Sequence, residues 1–126
     1  MTLPAALAPF HPHLDETRSL LTLALDHGKA NEMGSEELGV FEALCDFVEA
    51  QASGAAPITC LCTTSSKTSK KGAPIFIAGA NVTERVGWDD ARIKAHVIRQ
   101  RTLMQRLRRL PLFHVVIATG VTLGWE

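Results

Sequence analysis

Phe76-Ile77-Ala78-Gly79-Ala80-Asn81-Val82 runs as a short apolar strand that breaks into a glycine-containing turn. The same design returns in Gly120-Val121-Thr122-Leu123-Gly124-Trp125, after one long basic segment. A glycine turn at a strand end leaves backbone N–H groups outside the ladder, free to face a ligand. Two such turns side by side can form an oxyanion hole, a pair of donors aimed at one oxygen. The fold matters here through one question, whether it brings the two turns to the same place.

Working outward, Asp89 and Asp90 open a helix whose apolar positions Ile93, Val97, Met104, Leu107 and Leu110 keep one face until Pro111 ends it. Residues 113–118 are an uninterrupted apolar run, as expected for a strand buried on both faces of a mainly parallel sheet. Toward the N-terminus, Leu21, Leu23 and Leu25 alternate with Thr22 and Ala24, the period of a strand, which stops at the turn signal Asp26-His27-Gly28. Ser35 then offers a side-chain oxygen at a helix start, with Glu36 and Glu37 in the first turn. Leu38, Phe41, Leu44, Cys45 and Val48 follow at helical spacing, predicting an amphipathic helix over 36–51 that stops near Ser53-Gly54. Residues 58–62 read as a short strand and 63–73, rich in Ser, Thr and Lys, as a mobile loop. Strand, helix, strand, strand, helix, strand is an α/β order with right-handed crossovers expected.

The 126 residues suffice for one domain, which at this size buries roughly two-thirds of its unfolded surface. With 46% hydrophobic and 21% charged residues the composition is globular. The first fourteen residues lack a basic n-region and are broken by Pro4, Pro9 and Pro12, unlike a signal peptide, and no apolar run is long enough for a bilayer. Three cysteines, Cys45, Cys60 and Cys62, cannot all pair, so a reducing cytoplasm is the expected location. The net charge of zero hides a split, with nine acids against two bases through Thr63 and eleven bases against four acids from Thr64. Such a split can attract a polyanion to one half; equally, the two halves can face each other or another subunit.

The two glycine turns, in this order with a helix between, resemble the oxyanion loops of the enoyl-CoA hydratase/isomerase (crotonase) superfamily, written F-x-A-G-A-D-[IL] and N-G-x-x-x-G-G-G. Residues 21–33, ending in Lys29-Ala30-Asn31-Glu32-Met33, are similar to the family's first strand and its K-A-N-A-[LM] turn. The resemblance covers nearly all of residues 20–126 and rests on three motifs in the right order. It implies a crotonase-like ββα spiral with a mainly parallel sheet, preceded by an N-terminal extension over 1–19. It also implies backbone contacts from Lys29 and Ala30 to the adenine end of coenzyme A, with Ala78, Asn81 and Val82 along adenine and pantetheine. The N–H of Ala80 would be one donor to the thioester oxygen. Gly124 would belong to the second loop, with Trp125 on the position of the second donor.

Departures from the family pattern bear on the chemistry. Asn81 stands where Asp is usual and Thr83 where Lys is common, which leaves backbone contacts to CoA and removes a charge. The second loop reads Gly124-Trp125-Glu126, and the family's remaining strands, further carboxylates and trimerising helices would lie beyond Glu126. The expectation is a truncated member or one completed by another polypeptide, as a homo-oligomer or with a complementing chain. When the α-carbon of an acyl thioester loses or gains a proton, or water adds at the β-carbon, negative charge builds on the thioester oxygen, where two pre-aimed N–H groups stabilise it. Hydration also needs a carboxylate to move protons. Glu126 could fill that role only if two loop residues are missing, against an ordinary solvated chain end.

Cys60-x-Cys62 places two thiols on one strand face, but without a second Cys/His pair no metal is expected. His11-x-His13 fits a proline-rich tail better than a ligand pair. The basic helix lacks interleaved aromatics and a recognition module, which argues against nucleic acid. The ligand implied is an acyl-CoA thioester, with no separate cofactor and no membrane. The function implied is enoyl-CoA hydration or isomerisation, the alternative being an inactive homologue that binds acyl-CoA or a partner subunit. The 126-residue chain alone is expected to show little or no hydratase turnover.

Overall fold

The structure is a computed structural model and describes residues 1–124. A four-stranded sheet of order β1-β2-β3-β5 forms its centre, from β1 (His13–Asp15), β2 (Leu20–Leu25), β3 (Cys60–Ser65) and β5 (Phe113–Val116). β1 is antiparallel to β2, whereas β2, β3 and β5 run parallel, so the α/β class and mainly parallel sheet are as expected. β4 (Ile75–Ile77) and β6 (Val121–Thr122) pair parallel in a small sheet of their own. Two helices complete the layers, α1 (Ser35–Gln51) between β2 and β3, and α2 (Asp90–Arg108) between β4 and β5.

The alternation in β2 works as the period-2 rule requires, with Leu21, Leu23 and Leu25 fully buried. α1 buries Leu38, Phe41, Leu44, Cys45 and Val48 against that face. Its N-cap is Gly34 and not Ser35. Glu37 accepts from the Gly34 N–H at 3.0 Å, while the Ser35 N–H and hydroxyl both donate to Glu84. Residues 1–19, set apart in the sequence as an extension, pack on the same core. A 3-10 helix at Ala5–Phe10 carries Leu7 and Phe10, both fully buried, and the Phe10 ring meets Phe41 edge-on at 4.8 Å.

Three local expectations change. The loop expected from Thr63 begins later, because β3 continues through Ser65, and the following turn closes on itself through Ser69 N–H to Ala73 O at 2.8 Å. In α2 the buried positions are His96 and Leu103, and Val97 is 50% exposed. The run 113–118 is not buried on both faces. β5 is a sheet edge with all four residues exposed, Phe113 by 80%. His114 and Val116 border a cavity of about 610 Å³ that Leu107 of α2 and Leu112 also line, while Phe113 and Val115 are exposed outside it.

The charge split is partly an internal match. Arg99 grips Glu42 with its Nε at 3.1 and 3.2 Å from the two oxygens, and Arg106 reaches Glu49 at 2.9 Å and also meets Asp46. These carboxylates hold both guanidiniums above their ordinary pKa range. Basic α2 therefore lies along acidic α1, as opposite charges on neighbouring helices favour.

Candidate functional site

Because β4 and β6 run parallel, with Ile77 opposite Thr122, the turns that follow them lie at the same end of the small sheet. The first turn is clamped from two sides. On one side Ala78 N–H donates to Ala30 O at 3.1 Å, Met33 N–H to Gly79 O at 2.9 Å and Asn81 N–H to Met33 O at 2.8 Å. On the other, Leu123 N–H donates to Ile77 O at 2.9 Å. Gly79 holds φ +110°, a conformation closed to L side chains, and Leu123 O lies 3.5 Å from where a β-carbon would stand.

The bridge between Met33 and Ala80 uses the groups on either side of Ala80, Gly79 O and Asn81 N–H. The N–H of Ala80 consequently points away from Met33. Among the described residues it has no acceptor. Ala80 borders a cavity of about 490 Å³, which Gly124, Arg85 and the α2 residues Val97, Gln100, Arg101 and Met104 also line. The α2 residues recur at i, i+3, i+4 and i+7, one helix face.

Of the site residues named from the sequence, Ala80 and Gly124 share this cavity. Ala78 is bonded to Ala30 and Asn81 to Met33 by the hydrogen bonds above, Lys29 sits exposed on the adjoining turn, and Val82 is 64% exposed. Trp125 and Glu126 lie outside the described residues.

One residue of the Lys29-Ala30-Asn31 turn to which no role attached is the hub of the arrangement. Asn31 is fully buried at φ +53°, and its side-chain amide donates to Ser65 Oγ at 2.9 Å and Phe76 O at 2.8 Å, while its Oδ1 accepts from His27 N–H at 2.9 Å. It fastens the ends of β3 and β4 to the turn after β2. The signal was available, since Asn is the side chain best suited to left-handed backbone and local bonding together.

Arg85 and Arg101 also went unnoticed, merged into a basic stretch. Neither has a carboxylate in ion-pair range among the described residues, and the Nε of Arg85 is buried with no acceptor there. Nearby His96, buried against the Trp88 ring at 5.2 Å, has its pKa lowered by desolvation and then by Arg85. The Cys45 thiol is pushed up to about 11 by burial, which keeps it protonated and inert. No group of three or more His, Cys, Asp or Glu among the described residues could hold a metal ion, and no described helix is long and apolar enough to cross a membrane.

No protein-family model matches the chain, and no curated protein does. Solved structures do. The chain is similar to an enoyl-CoA hydratase from Bacillus anthracis (TM-score 0.66, 23% identity), over 90% of this chain and 42% of that one. An enoyl-CoA hydratase from Mycobacterium smegmatis aligns with TM-score 0.63 and 22% identity over 83% of this chain and 37% of its own. One from Shewanella pealeana reaches TM-score 0.70 at 15% identity, over 91% and 42%. The chain has the crotonase-like fold of these hydratases, and it spans about two-fifths of their length.

Proposed function

We propose that this chain is a crotonase-superfamily protein that binds an acyl-CoA thioester and stabilises the enolate of that thioester in hydration or isomerisation. The observation that carries the reading is the N–H of Ala80, which has no acceptor among the described residues and belongs to a residue that borders the cavity also lined by Gly124. An N–H fixed by the clamp around Gly79 is pre-aimed, and donors that need not reorganise contribute most to such a transition state. Trp125 is the proposed second donor. Lys29, Ala30, Ala78, Asn81 and Val82 are proposed to follow the coenzyme A moiety. Its partner, a second copy or a complementing chain, would meet the open edge of β5, and a cytoplasmic setting suits the three free cysteines.

The described lining of the cavity contains no carboxylate and no histidine. Glu126 is the acid/base candidate that the second loop offers. The test is infrared spectroscopy of hexanoyl-CoA labelled with ¹³C at the thioester carbonyl. Binding should move its stretch to lower frequency as the oxygen accepts hydrogen bonds. An unshifted band in a saturated complex would remove the oxyanion role. Turnover of crotonoyl-CoA should be near background, and a substantial rate abolished by Glu126→Gln would instead make Glu126 a working acid/base.

A further inference from the structure

We infer that the acyl group accepted at this site ends in a carboxylate, received by Arg85 and Arg101. The inference rests on the acyl-CoA reading and narrows it to a substrate class. Arg85 and Arg101 line the same cavity as Ala80 and Gly124. Neither is neutralised from within the described chain. The acids of α1 take Arg99 and Arg106, and Glu84 is occupied by the N–H and hydroxyl of Ser35.

Guanidinium matches carboxylate in a planar fork, and two of them on one pocket select an anion. An uncharged alkyl tail would instead desolvate two cations with nothing in return. Val97 and Met104 supply apolar wall for the methylenes between thioester and carboxylate. The phosphates of coenzyme A are a poorer account of these arginines. They sit at the far end of the pantetheine arm from the thioester, and Lys29 and Ala30, the positions assigned to the nucleotide, do not line this cavity.

Calorimetric titration of the full chain with glutaryl-CoA, pentanoyl-CoA and free coenzyme A tests this. These probes share a five-carbon acyl length where they have one. Glutaryl-CoA should bind at least about tenfold more tightly than pentanoyl-CoA, the scale of one charge-assisted hydrogen bond. Arg101→Gln, at an exposed helix position, should erase most of that advantage and leave free coenzyme A unchanged, and Arg101→Lys should restore part of it. Equal or tighter binding of pentanoyl-CoA overturns the inference while leaving the acyl-CoA reading intact. A loss of affinity for all three ligands in Arg101→Gln places the arginine on a phosphate and overturns it too. If none of the three binds, both readings fall.

Discussion

β2 and β5 belong to one sheet, are both mainly apolar and both run parallel to β3, yet β2 buries every second side chain completely and β5 is exposed along its whole length. Leu21, Leu23 and Leu25 have no exposed surface, while Val115 and Val116 keep nearly half of theirs. The difference is not in the side chains. β2 has strands on both edges and α1 on its inner face, whereas β5 has one neighbour and faces a cavity. Apolar sequence measures how much a strand gains from cover, and position in the sheet decides how much cover it gets.

The sharpest way to break this contrast is to truncate one side chain in each strand. Leu23→Ala should cost about 2–5 kcal/mol in urea unfolding, since it empties a closed site. Val115→Ala should stay within about 0.5 kcal/mol. Equal losses would mean that β5 is covered in solution, by a second copy or another chain, and sedimentation of the same samples would show it.

A smaller effect is expected where the two regions are tied together. Asn31→Ala leaves the Phe76 carbonyl and the His27 N–H without their partner and puts alanine at φ +53°, for a loss of about 3 kcal/mol. Because Asn31 orients the turn that clamps Gly79, acyl-CoA affinity should fall with it at temperatures where the variant is still folded. Stability lost with affinity retained would separate the hub from the site.

The smallest effect is the pH dependence. Desolvation lowers the pKa of His96 and also that of His114, whose ring is shielded on the side that borders the 610 Å³ cavity although the residue as a whole is exposed, with its Nε2 2.9 Å from Thr63 Oγ1. A histidine held below its ordinary value of 6.5 binds its proton more readily in the unfolded chain. Stability is therefore complete above that value and falls as pH drops below it. Thermal melts at pH 7.5 and 5.5 should show the decline, and His96→Gln and His114→Gln should each flatten it. An unchanged slope in either variant would remove that histidine as a source.

Much of the fold was legible because it depends on local rules. The period of β2, the helical spacing in α1, the Asp89 cap of α2 with its bond from Arg92 N–H at 2.8 Å, and the glycine turns all follow from residues a few positions apart. Errors gathered where a residue's surroundings come from elsewhere in the chain. Val97 fits a core stripe by spacing, yet it borders a cavity because the glycine turns, not a packed helix, lie opposite. The proline-rich start reads as a tail until Leu7 and Phe10 find the α1 surface.

By itself, then, the sequence determined the α/β order, the two glycine turns and the opposed charge of its halves, all of them properties of neighbouring residues or of composition. Only the tertiary structure decided that the turns share one end of a two-stranded sheet, that α1 takes two of the arginines on α2, and that Arg85 and Arg101 remain beside Ala80 without a counter-charge among the described residues. Those are relations between positions far apart in the chain, and they exist only once hydrophobic burial has set which surfaces meet.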